Sequence, residues 1–83
     1  MMEIAYTPTA QKQLLKFPQA GKIKALRIVR KLAVDPFAGK HLKGQLIGLC
    51  SAKAWPYRII YRFLNKKKLI IIETIEHRQG IYK

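Results

Sequence analysis

The stretch Tyr57–Ile75, YRIIYRFLNKKKLIIIETI, decides the fold. Its first half, YRIIYRFL, alternates with a period of two. Tyr57, Ile59, Tyr61 and Phe63 fall on one face, and Arg58, Ile60 and Arg62 on the other. The second half, LIIIETI, is almost continuously apolar and β-branched, the pattern of a central strand covered on both faces. Between them, Asn65–Lys68 is a basic turn, NKKK, far too short for a parallel crossover. The two strands therefore pair as antiparallel neighbours.

Upstream, Met2–Tyr6 alternates weakly and reads as a short first strand. Thr7-Pro8-Thr9 reads as a helix start, with a hydroxyl cap beside a proline of the first turn. Ala10, Leu14 and Phe17 give that helix one apolar face, and Phe17-Pro18 interrupts it. A second helix is expected from about Gln19 to Val34, with Ala25, Leu26, Val29, Leu32 and Ala33 as its apolar stripe. Lys24, Arg27 and Lys31 share another face of it, and Asp35-Pro36 ends it. Phe37–Gln45 reads as loop, Leu46–Lys53 as a strand weakened by Gly48, Trp55-Pro56 as a turn, and His77–Lys83 as a further short extended piece. The expected fold is a single α+β domain over residues 1–83. Its sheet is twisted, mainly antiparallel and of about four strands, with the N-terminal helical hairpin on one face. The other face carries Arg58 and Arg62 and stays open to a ligand.

Charge narrows the function. Seventeen Lys and Arg against four Asp and Glu give a formal net charge of +13. Self-repulsion of that size opposes compaction, so polyanions are the first class of partner: DNA, RNA, the ribosome or an acidic protein. A membrane surface comes second, and a merely solubilising basic surface is the bland alternative. The 49% hydrophobic content is too high for a disordered chain. A lone cysteine, Cys50, rules out an internal disulfide and a four-cysteine zinc site and points to an intracellular chain. MMEIAYTPTA has no basic segment leading into an apolar one, so no secretory leader is expected, and the longest apolar run is far short of a membrane span.

Arg58 and Arg62 lie four residues apart on one strand face, roughly 13 Å at the usual rise per residue, which suits two phosphates along a nucleic acid chain. The last residues, EHRQGIYK, add Glu76, His77, Arg78 and Tyr82. If the two long strands pair through NKKK, this stretch comes beside the start of YRIIYR, and Arg78 approaches Arg58. Two guanidiniums over one phosphate bind it and stabilise it further as charge builds in a pentacoordinate transition state. A nearby phenol can position or exchange a proton. Such a set suits RNA cleavage by the 2′-hydroxyl, without metal, cofactor or enzyme nucleophile. For Tyr82 the plain alternative is a packing aromatic, and for Arg58 and Arg62 a solvated strand face. The two histidines, His41 and His77, have no metal-ligand spacing, so no metal site is expected. Glu76 either orients an arginine, serves as a base, or pairs with a lysine across the strand.

DPFAGKHLKGQL, PYRIIYRF, the apolar strand and EHRQGIYK, in that order in a basic chain of 83 residues, together resemble the RelE/ParE toxin superfamily of toxin–antitoxin systems. The resemblance covers nearly the whole chain. It implies a RelE-like fold and a cognate antitoxin, acidic and encoded by an adjacent gene, that wraps the toxin's basic surface. In the RelE branch it implies cleavage of messenger RNA on the ribosome, leaving a 2′,3′-cyclic phosphate. In the ParE branch it implies inhibition of DNA gyrase without nuclease chemistry. Carried over by position, the resemblance puts Arg58 and Arg78 on phosphate, Tyr82 at the catalytic tyrosine, and Lys53 at a basic position of the preceding strand. Glu76 stands where well-studied members have an arginine, and Leu49 and Ser51 stand where nucleases carry lysines. The base role therefore falls to Lys53, His77, Glu76 or His41.

The expectation is thus a cytoplasmic toxin that acts as a ribosome-dependent mRNA endoribonuclease and inhibits translation. Its catalytic candidates are Arg58, Arg78, Tyr82 and His77. Lys40, Lys43, Lys53, Arg62, Lys66 and Lys67 are its RNA-binding candidates. A ParE-like gyrase inhibitor and a non-toxic nucleic-acid-binding domain are the alternatives.

Overall fold

The computed structural model describes residues 1–41 and 48–77, with the backbone alone for Lys40 and His41. The described elements run β1 (Glu3–Tyr6), α1 (Pro8–Lys16), α2 (Gln19–Val34), β2 (Lys40–His41), β3 (Cys50–Ala54), β4 (Tyr57–Leu64) and β5 (Leu69–His77). The sheet has five strands in the order β1-β5-β4-β3-β2. Among the described strands only the β1–β5 pair is parallel, because the helical hairpin carries the chain from one to the other side of the ladder.

Local chemistry sets the helix boundaries. Thr7 caps α1: its Oγ1 accepts from the Ala10 amide at 3.1 Å, with Pro8 in the first turn. Phe17-Pro18 separates α1 from α2, and Asp35 ends α2 with its own amide bonded to the Lys31 carbonyl. Both helices pack on one face of the sheet. Ala10, Ala25, Val29 and Leu32 meet Ile59, Tyr61, Ile70, Ile72 and Ile75, all buried. Gly21 lets α2 approach Tyr57, since a β-carbon there would sit 2.5 Å from the Tyr57 hydroxyl.

Four expectations change. The Phe37–Gln45 loop contains a 3-10 turn at Pro36–Ala38 and the two-residue strand β2, which makes the sheet five-stranded. The third strand begins at Cys50, after a positive φ at Gly48, and the earlier residues 42–47 lie outside the described ones. Leu26 is 43% exposed rather than in the core stripe; the seam of α2 is Gly21, Ala25, Val29, Leu32 and Ala33. Finally, β5 continues to His77, and the helices cover one of its faces rather than both.

A bulge in β5 decides which side chains reach the other face. Ile60 pairs with Thr74 but Tyr61 pairs with Ile72, so Glu73 is the extra residue. Strict alternation would put Ile70, Ile72, Thr74 and Glu76 on one face. With the bulge, Ile75 joins Ile70 and Ile72 in the core, and Thr74 and Glu76 turn away from the helices. The Glu73 carbonyl accepts from Thr7 Oγ1 at 2.7 Å, so the residue that caps α1 also pins the bulge.

Candidate nucleic-acid interface

Ladder register builds the site. On β4, Ile59 and Tyr61 face the core, so Arg58, Ile60 and Arg62 face away from the helices. Lys53 of β3 pairs with Arg58, and Arg58 pairs with Glu76 of β5. Directly opposite residues share a face with Cβ atoms about 5 Å apart, so Lys53, Arg58 and Glu76 form one transverse row on the helix-free face. The next row on that face is Ser51, Ile60 and Thr74, and the one after it holds Arg62 and Ile71. Arg58 is half-buried and Lys53 exposed, which suits one for holding an anion and the other for attracting it.

The remaining cations are distributed unevenly. Arg62 Nε lies 3.3 Å from Glu73 Oε2, a half-exposed ion pair that engages the guanidinium. Lys66 and Lys67 are exposed at the opposite end of the β4–β5 hairpin, more than 20 Å from Arg58 by strand length, roughly 3.3 Å per residue. They form a separate basic patch. Lys40 occupies the register position opposite Ser51, at the sheet edge. Lys43, Arg78 and Tyr82 lie outside the described residues.

His77 is in the row of Tyr57, not that of Arg58. Its ring meets the Tyr57 ring edge-on at 5.6 Å, and Tyr57 stacks on Phe17 at 4.2 Å. It is therefore one residue from Glu76 along the chain but on the opposite face of the sheet. His77 and Glu76 both border a depression of about 350 Å³ beside Gln13 and Lys16.

Two other described groups, Cys50 and Tyr61, are accounted for by packing. Cys50 is buried, and that burial pushes its thiol up, away from nucleophilic character. Tyr61 is pushed up to about 12, first by burial. Its hydroxyl donates to the Pro36 carbonyl at 2.8 Å and accepts from the Gly39 amide at 3.2 Å, tying the 36–39 turn to the sheet. No group of three or more His, Cys, Asp or Glu among the described residues is arranged to hold a metal ion. Nor is any described helix long and apolar enough to cross a membrane.

Sequence reading missed two features. One is Glu76 opposite Arg58, which depends on the bulge. The other is Lys24, whose Nζ donates to the Trp55 carbonyl at 2.6 Å and brings a helix cation to the β3–β4 turn. Its position on a basic helix face was visible, but its destination was not.

Fold, basic face and order of motifs converge on a toxin. The family model for the ParE toxin of type II toxin–antitoxin systems matches residues 4–82, and the chain belongs to that family, within the RelE/ParE toxin superfamily. Among its relatives, the toxin RelG of Mycobacterium tuberculosis is 29% identical over 82 residues, spanning 96% of this chain and 94% of RelG. The toxin–antitoxin complex RelBE2 from the same organism contains a chain that superposes with a TM-score of 0.87 at 28% identity, covering 93% of this chain and 98% of that one. The YoeB/ParE toxin from Agrobacterium tumefaciens shares the fold with a TM-score of 0.80 at 19% identity, covering 92% and 98%.

Proposed function

We propose that this toxin is a ribosome-dependent endoribonuclease that cuts messenger RNA through its own 2′-hydroxyl. The row Lys53–Arg58–Glu76 on the helix-free face carries the reading. In the proposed step the 2′-oxygen bonds to phosphorus and the bond to the 5′-oxygen breaks, leaving a 2′,3′-cyclic phosphate. Arg58 holds the phosphate and stabilises the charge that builds on its oxygens. Glu76 opposite it accepts the 2′-hydroxyl proton. Arg78 adds a second guanidinium, and Tyr82 returns a proton to the leaving 5′-oxygen. Lys53, Lys40, Lys43, Arg62, Lys66 and Lys67 attract ribosomal and messenger RNA by charge.

An acidic antitoxin, encoded beside the toxin, is the proposed protein partner, and the cytoplasm the proposed compartment. Support comes from relatives solved as toxin–antitoxin complexes, such as the archaeal RelE–RelB complex from Pyrococcus horikoshii. It also comes from the outer face of α2, where the exposed Ile23 and Leu26 adjoin Arg27 and Arg30 around a groove of about 300 Å³. That mixture complements an amphipathic acidic segment.

A second reading, a gyrase inhibitor acting by binding, is favoured by the ParE family match and by neutral Leu49 and Ser51 on or beside β3. Primer extension on messenger RNA after induction separates the two. Cuts within translated codons that disappear in Arg58→Ala support the nuclease. Intact messenger RNA with gyrase-dependent DNA breaks supports the inhibitor and removes the nuclease reading.

A further inference from the structure

We infer that Trp55 is a stacking platform for an unpaired nucleic acid base, placed at the β3–β4 turn two residues beyond Lys53 of the phosphate-binding row. The inference rests on the nuclease reading for its biological ligand, but its test does not depend on cleavage.

Trp55 is the only tryptophan of the chain and is 60% exposed. An indole exposed to that extent offers a large, flat apolar area to a ligand, and covering it is favourable. Its neighbours show that the turn is fixed rather than loose. Ala54 before it is buried, and Tyr57 after the turn is stacked on Phe17. Its own carbonyl accepts from Lys24 Nζ at 2.6 Å, anchoring the tip to α2. The indole is thus presented from a backbone held on both sides.

The charged residues next to it along the hairpin are cationic, with Glu76 on the far side of Arg58. Lys53 and Arg58 form the second pair of the hairpin counted from the tip, after Ala54 and Tyr57. Lys53 is two residues from Trp55, about 7 Å along the strand. Lys24 adds an ammonium at the turn itself. A turn that carries an exposed indole two residues from Lys53 and is bonded by Lys24 fits single-stranded nucleic acid, where phosphates follow the charges and a splayed base covers the ring. An acidic peptide meets the charge but has no comparable use for an exposed flat indole. On this placement, a strand gripped at Arg58 lays a neighbouring base on Trp55, which fixes the register of the bound strand relative to Arg58.

The single tryptophan is its own reporter. Wild-type protein is titrated with a short 2′-O-methyl RNA, which cannot be cut, and indole fluorescence is followed. Saturable quenching is expected in the wild type; by mobility shift, which needs no indole, affinity is lowered about tenfold in Trp55→Ala and retained in Trp55→Phe. Circular dichroism of each variant checks the fold. Unchanged fluorescence at oligonucleotide concentrations that saturate an Arg58-dependent mobility shift overturns the inference, as does full affinity in Trp55→Ala. Quenching by an acidic peptide but not by RNA also overturns it and assigns the turn to protein docking. Quenching without messenger RNA cleavage leaves the platform standing and defeats the nuclease. Cleavage unaltered in kcat/KM by Trp55→Ala does the reverse.

Discussion

Arg58 of β4 stands directly opposite Glu76 of β5, and it does so because Glu73 is bulged out of the ladder between them and the hairpin turn. Two of the chain's four acids, Glu73 and Glu76, are thereby set beside the two arginines of β4. In a chain of +13 this placement keeps a carboxylate within the cationic row.

If Arg58 holds the scissile phosphate, Arg58→Ala lowers ribosome-dependent cleavage by about 10²–10³, the usual loss for one charge-stabilising donor. Glu76→Gln is expected to move two readouts in opposite directions. Affinity for an uncleavable oligonucleotide rises, because Arg58 no longer faces a competing carboxylate. Cleavage slows, because the proton acceptor is gone. Oligonucleotide binding and single-turnover cleavage, measured on the same preparation, check both.

Binding to ribosomes or to single-stranded RNA should weaken linearly on a log–log plot against salt. Removing one phosphate-neutralising cation makes the slope shallower by about 0.7 for a single strand. Arg58→Ala and Lys53→Ala should each show this reduction. Arg62→Ala should show less of it, since Glu73 already engages Arg62 at 3.3 Å. Filter binding between low and physiological salt gives the slopes.

Thr7 joins α1 to β5: it caps α1 and donates to the Glu73 carbonyl at the bulge, while its amide bonds to the Ile72 carbonyl at 3.1 Å. Thr7→Ala should cost about 0.5–2 kcal/mol through removal of the cap. The Glu73 carbonyl, deprived of its donor, adds about 1–3 kcal/mol. Urea unfolding reads the sum. Because the bulge aims Glu76, the same variant should lose cleavage activity at temperatures where it remains folded.

Alkaline stability depends on Tyr61. Burial raises its phenol from 10.0 to about 12, so between those values the folded chain keeps a proton that the unfolded chain has released. Its contribution is complete below about pH 10 and is lost as pH rises through about 12. Tyr61→Phe should lower stability at neutral pH by about 1–3 kcal/mol, since the Pro36 carbonyl and Gly39 amide lose their partner. It should also flatten the decline in stability in the alkaline window. Thermal melts of both proteins from pH 8 upward test the sign.

The sequence by itself determined the two helices and the β4–β5 hairpin. The period of two in YRIIYRFL gave β4 its limits and its two faces, and Thr7-Pro8 and Phe17-Pro18 fixed where the helices start and stop. These are short-range effects: alternation, capping and the conformational limits of proline are set by residues within a turn of each other. The order of motifs also carried the toxin superfamily. Only the tertiary structure decided which charges meet. Apolar residues at 70, 71, 72 and 75 allow more than one phase for β5, and the bulge at Glu73 selects the one that buries Ile75 and turns Glu76 toward Arg58. The same holds for Leu26, which periodicity put in the core and packing leaves exposed, and for Lys24, which reaches the Trp55 carbonyl from 31 residues away. Register and long-range pairing arise from the packing of whole elements, so no local pattern in the chain encodes them.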